Sequence, residues 1–129
     1  MIHFPFQSAV DVTLDTDLLE QDLKGAQAID SVFFGQKCLY YPGVLKLRYL
    51  PYDQIGWAYL RAEENRMSMC CGKTFVDMWY LLLYVDGKQV AKIEFQKKET
   101  AKKALNVLSE VNQEILIGYS EENKRQVLG

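Results

Sequence analysis

The sequence predicts an α+β domain that is mainly β: a strongly bent antiparallel sheet, or partly open barrel, capped by one C-terminal helix and preceded by a short N-terminal helix. Three observations carry this reading. Residues 77–95 read as strand, Asp-Gly turn and strand. An amphipathic helix follows at once over 100–111. Upstream, short segments rich in Val, Phe, Tyr and Leu are divided by turns containing Gly and Pro.

The bulk numbers bound the class. With 129 residues the chain reads as one domain, able to bury a core without disulfides or metal. Its parts are an extension with the short helix (1–27), a core (28–119) and a charged, frayed tail (120–129). Net charge is −2, which argues against a nucleic-acid binder, since that role needs a strongly basic face. Asp11, Asp15, Asp17, Glu20 and Asp22 precede any Lys or Arg and read as a solvated acidic face. Cys38, Cys70 and Cys71 make an odd number, and neighbouring Cys70 and Cys71 would form only a strained bridge. Free thiols in a reducing cytoplasm are the simplest expectation. The first ten residues lack the pattern of a signal peptide, and no stretch approaches a membrane span.

Each element has its own justification. Thr16 and Asp17 are the expected N-caps of a helix carrying Leu18, Leu19, Leu23 and Ala26 on one stripe, with Gly25 near its end. Residues 31–35 and 37–41 are strands ending at the turn pair Pro42-Gly43. From 44 to 50, Val44, Lys46 and Arg48 alternate with Leu45, Leu47 and Tyr49. Pro51 removes a ladder donor, so a bend is expected at 50–53. A strand resumes over 55–61, with Ile55, Trp57 and Tyr59 on one face. Residues 63–65 read as a polar loop, and 67–76 as a further strand interrupted by Gly72.

The hairpin at Asp86-Gly87 admits two registers. A two-residue turn pairs Val85 with Lys88 and then mixes charged and large apolar residues on each face. A three-residue turn pairs Tyr84 with Lys88, which groups Trp79, Leu81 and Leu83 with Ala91 and Ile93, and sets Tyr80 and Tyr84 with Lys92 and Lys88. The cleaner separation selects the three-residue turn, because a one-residue slip swaps the faces. In the helix, Ala101, Ala104, Leu105, Leu108 and Val111 form the apolar stripe, Thr100 the cap and Asn112 the stop. Residues 114–119 then read as an extended return to the body.

Strands, an Asp-Gly hairpin and one terminal helix in this order resemble the pleckstrin-homology-like (PH-like) fold, specifically small bacterial proteins with PH-like domains. The carrying residues are the strand–bend–strand of 45–57, the hairpin 78–95, the helix 100–111 and Ile117-Gly118-Tyr119. The resemblance covers 28–119 and implies a scaffold that binds lipids, peptides or proteins and is rarely catalytic. Phosphoinositide-binding members carry dense Lys and Arg in the first hairpin loop. Here Lys37, Lys46 and Arg48 are too few and too dispersed, which argues against such a site.

Catalytic chemistry has little to stand on. His3 is the single histidine, and no C-x-x-C or second His supports zinc. Neither a phosphate-binding glycine loop nor a nucleophile elbow occurs, Asp53 reads as a turn residue, and nothing in the spacing calls for a cofactor. The nearest thing to a reactive site is Cys70-Cys71 beside Lys73, where a lysine would favour thiolate; one cysteine pointing inward and one outward on a strand is the bland alternative.

The sequence therefore leads to a non-catalytic interaction module, with an unknown protein or peptide adding to a sheet edge near 69–76 beside Lys97, Lys98 and Lys102, whose charges favour an acidic ligand. Tyr80 and Tyr84 with Lys88 and Lys92 form a second candidate contact patch. A thiol or small-ligand function at Cys70-Cys71, and self-assembly as a homodimer through an exposed strand, are the alternatives.

Overall fold

Strand-forming residues fold into two sheets rather than one continuous bent sheet, and among the described residues no closed barrel forms. The computed structural model describes residues 6–43, 45–69 and 72–129, with the backbone alone for 64–69 and 72–77. The first sheet has the order β1-β5-β4-β3-β2, from Phe6–Ser8 (β1), Gln27–Ile29 (β2), Val32–Phe34 (β3), Cys38–Pro42 (β4) and Leu47–Pro51 (β5). The second has the order β8-β7-β6-β9, from Trp57–Met69 (β6), Gly72–Val85 (β7), Lys88–Phe95 (β8) and Leu116–Ile117 (β9). Each is mixed: β1 runs parallel to β5 and β9 parallel to β6, while the other pairs are antiparallel. The expectation of a purely antiparallel sheet fails at those two short strands, which arrive from outside the meander.

The inner faces of both sheets share one core with helix α2 (Lys98–Val111). Leu39 and Leu50 meet Leu81, Leu83, Ile93 and Phe95, and α2 adds Ala101, Ala104 and Leu108. Leu108 is fully buried, which is worth roughly 1.5–3 kcal/mol. Leu105 is only partly buried and Val111 is 40% exposed, so the apolar stripe turns out of the core towards the end of the helix. Lys97, not Thr100, occupies the N-cap position; the Thr100 hydroxyl donates to the Lys97 carbonyl at 3.0 Å. Asn112 is the stop, as its place in the sequence indicates.

Helix α1 (Thr16–Lys24) covers the outer face of the first sheet, where Leu19 packs with Cys38, Tyr40 and Tyr49. Its N-cap is Asp15, in extended conformation and without a side-chain cap bond, rather than Thr16 or Asp17. The chain between β1 and α1 is pinned by Tyr49: the Leu14 N–H donates to its hydroxyl at 3.1 Å, and that hydroxyl donates to the Val12 carbonyl at 3.3 Å. The described part of the N-terminal extension thus lies mainly on the first sheet, with Val10 and Asp11 also lining a cleft beside Val85 and Lys88.

Three expectations are corrected. The polar run 63–65 is not a loop; β6 continues through it to Met69, and Gly72 begins β7 rather than interrupting a strand. A polar sequence suffices there because antiparallel pairing with β7 supplies the hydrogen bonds. Residues 120–129 are not wholly frayed: Glu121–Leu128 form helix α3, whose Ser120 side chain accepts the Asn123 N–H at 3.0 Å. Nor does the strand expected over 44–50 begin at its apolar start: β5 opens at Leu47, and Leu45 is 89% exposed.

The hairpin combines features of both registers. Val85 pairs with Lys88 across a two-residue turn, with Asp86 at φ 51° and Gly87 at φ 77°. The register then shifts between Leu83 and Tyr84, so that Leu83 faces Ala91 and Leu81 faces Ile93. A bulge taking up Val90 therefore restores the apolar face that a three-residue turn was expected to provide.

Candidate functional site

Two surfaces gather the residues singled out in the sequence, and they lie on different parts of the second sheet. The first is an edge. β8 pairs with β7 only over Trp79–Val85, ending where Phe95 faces Trp79. β6 pairs with β7 along its whole length from Gly72. Among the described residues, 72–78 of β7 therefore have a neighbouring strand on the β6 side alone. The chain leaving β8 passes directly into Lys97 and α2, so three exposed cations, Lys97, Lys98 and Lys102, follow the point where β8 stops. The Lys98 ammonium lies 5.2 Å from the centroid of the half-buried Trp79 ring.

The second surface is the outer face of the same sheet. Trp57 and Tyr59 alternate with inward Ala58, and Tyr80, Leu82 and Tyr84 alternate with inward Leu81 and Leu83. Trp57 packs on Tyr59 and Tyr84 with ring centroids 4.5 and 4.7 Å away, and Tyr119 stacks at 6.0 Å. The Trp57 indole N–H donates to the Gly118 carbonyl at 2.9 Å. The Tyr59 and Tyr84 hydroxyls are 3.3 Å apart, and Arg61 Nη2 donates to Tyr59 at 3.3 Å. Burial, then the hydrogen bond with Tyr59, pushes the Tyr84 phenol up to about 12. Val127 of α3 packs against this cluster, leaving Trp57 and Tyr59 buried and Tyr119 54% exposed.

The predicted Tyr–Lys patch is only partly assembled. Lys92 lies over the Tyr80 ring, 4.3 Å from its centroid, and donates to Glu63 at 3.0 Å. Tyr84 instead faces Gln89 and turns to Tyr59. Lys88 faces Val85 and lines a separate cleft with Val10, Asp11 and Val90, so it does not join the patch. The two-residue turn sets Lys88 opposite Val85, on the other face from Tyr84. Exposed pairs such as Lys92–Glu63 contribute only about 0–1 kcal/mol, so this face gains its order from the rings. The Trp57 cluster is the feature sequence reasoning underweighted: alternate Trp57 and Tyr59 were legible, but the helix covering them was read as tail.

Cys70, Cys71 and His3 lie outside the described residues. Cys38 is fully buried, and burial followed by the Asp22 carboxylate raises its thiol to about 12, the opposite of an activated nucleophile. Asp53 lines an open cleft of about 470 Å³ with Lys37, Gln54, Asn112 and Glu114, and its carboxylate accepts from the neighbouring Gln54 amide at 3.3 Å. Among the described residues no three His, Cys, Asp or Glu side chains are placed to hold a metal ion, and no helix is long and apolar enough to cross a membrane.

The family described as a domain of unknown function, DUF6709, matches residues 6–127, and the chain belongs to it. No curated protein and no solved structure matches the chain.

Proposed function

We propose that this domain is a non-catalytic interaction module that accepts an extended backbone segment on the edge of β7 beside α2. One observation carries the reading: residues 72–78 are strand with a β neighbour on one side only, among the described residues, and Lys98, which begins α2 between Lys97 and Lys102, lies over Trp79 at the end of this stretch. An unpaired edge presents N–H and C=O groups spaced to take another strand. The three lysines favour acidic side chains on that strand. The described N-terminal segment supports this reading: it pairs with β5, packs on β4 and reaches β7 only at its Val85 end, opposite to 72–78.

Helix α2 directly after the hairpin, packed on the core that the two sheets share, supports placing this scaffold with the PH-like folds as the finer assignment, with β9 and α3 as additions after it. A reducing cytoplasm is the matching compartment for the free Cys38 thiol.

Titration with synthetic extended peptides, acidic and charge-neutral versions of the same sequence, tests the module by amide chemical-shift changes. Shifts confined to 72–78 and the start of α2, stronger for the acidic peptide and weakened in a Lys97→Glu/Lys102→Glu variant, are expected. Shifts elsewhere, or equal response of the variant, would sink the assignment of the site.

A further inference from the structure

The strands β6 and β7 are 13 and 14 residues long, against a usual five or six. Only Trp57 and Ala58 of β6 pair with β9, and only Trp79–Val85 of β7 with β8. Among the described residues, the far part of this ribbon pairs only with itself, and a two-stranded ribbon alone is marginally stable in water. Its register also sets like charges opposite each other: Glu64 faces Asp77, whereas Lys73 faces Ser68. Directly opposed like charges weaken a strand pair. Arg66, set opposite Phe75 two residues from Glu64, already stands on one side of this pair, and a further positive charge next to Asp77 would relieve it on the open side.

The open stretch supplies that charge itself. Residues 72–78 read Gly-Lys-Thr-Phe-Val-Asp-Met, with Phe75 at the centre and Lys73 and Asp77 two positions to either side. We propose that the segment added to this edge is the same edge of a second copy, paired antiparallel about a two-fold axis at Phe75. This deepens the strand-addition reading above and rests on it. In that register Lys73 stands opposite the other copy's Asp77, Thr74 opposite Val76 and Gly72 opposite Met78. Both Glu64–Asp77 positions then gain a lysine alongside. A shift of two residues puts either Asp77 or Lys73 opposite Phe75 and loses both charge matches, so the charges select one register. The added strand ends opposite Met78, one residue short of Trp79, where β8 begins to pair. It occupies the line of β8 without overlapping it. A closed two-fold contact of this kind is isologous and self-limiting.

Sedimentation equilibrium of the full chain, with the fold of each variant checked by circular dichroism, tests the pairing. Wild type is expected to be a dimer. Lys73→Glu and Asp77→Lys each create two like-charge matches and should raise the dissociation constant roughly tenfold or more. Two complementations distinguish pairing from general damage. The doubly swapped Lys73→Glu/Asp77→Lys chain should dimerise again, and the two single variants mixed should form a heterodimer. A wild-type dimer that neither single variant weakens, or that neither complementation restores, overturns the proposal. A monomeric wild type also overturns it; if that monomer binds the acidic peptide at 72–78, strand addition stands and only self-pairing falls, and if it binds none, both fall.

Discussion

The Asp22 carboxylate accepts the Tyr40 hydroxyl at 2.8 Å, joining α1 to β4 across 18 residues of sequence. The same carboxylate accepts backbone N–H groups of Gln36 at 2.7 Å, Lys37 at 3.3 Å and Cys38 at 3.2 Å. One helix side chain thus closes the loop between β3 and β4. A Cβ on Gly35 would collide with this carboxylate, so the close approach needs glycine. What the sequence presents as part of an acidic solvated run is, at Asp22, a structural clasp.

Asp22→Ala removes the acceptor from all four donors. The Gln36 and Lys37 groups are exposed and regain water, whereas the part-buried Cys38 N–H loses its acceptor and the Tyr40 hydroxyl is left with a long 3.4 Å contact to the Leu19 carbonyl and the Cys38 thiol beside it. A loss of roughly 2–3 kcal/mol is expected, the range for a charge-assisted bond whose buried partner is left short. Urea unfolding checks it. A change within about 0.5 kcal/mol, as at an ordinary surface position, would show that the clasp carries no stability.

Stability should fall at alkaline pH. Burial raises the Cys38 thiol from 9.0 to about 12, and the Tyr84 phenol rises from 10.0 to about 12. Burial also raises Tyr40, Tyr41 and Tyr52. Each group is neutral below its ordinary value, and its folded form binds the proton more tightly than its unfolded form. Their contribution is therefore whole below pH 9.0, the lower unfolded value, and is lost progressively as pH rises from there through about 12. Unfolding free energy measured against pH, together with phenolate absorbance, should show ionisation arriving with unfolding. Ionisation of Tyr40, Tyr41 or Tyr52, followed by ring chemical shifts, in a still-folded chain near the ordinary tyrosine value would contradict the burial argument.

Gly87 serves two elements at once. Its φ of +77° suits the tight turn between β7 and β8, and a Cβ there would stand 3.0 Å from the Val127 carbonyl of α3. Gly87→Ala should cost about 1–2 kcal/mol from backbone strain and also loosen α3 over Trp57. Thermal unfolding reads the first effect and quenching of tryptophan fluorescence the second. Unchanged quenching with lowered stability would separate the turn from the helix.

Local pattern reached the hairpin, both helices flanking the core and the return strand at Leu116–Ile117. It grouped Leu81 and Leu83 with Ala91 and Ile93 correctly because the charged Lys92 and Glu94 alternate with Ala91 and Ile93 and leave β8 one apolar face. It missed how the chain arrives there, since turn geometry fixes Val85 opposite Lys88 and the bulge repairs the register afterwards. Of the candidate site residues, Tyr80 and Lys92 come together, while Tyr84 and Lys88 part on opposite faces.

The sequence by itself determined the period-two and helical faces, the acyclic run of strands before one long helix, and the scarcity of catalytic residues, because each depends on residues near one another in the chain. Only the tertiary structure decided that 63–65 continue a strand, that 121–128 form a helix over Trp57, that Asp22 is a clasp, and where β8 stops along β7. These depend on partners distant in sequence. A polar strand is held by the ladder beside it, a short charged helix by the face it covers, and an edge is defined by the strand that ends next to it.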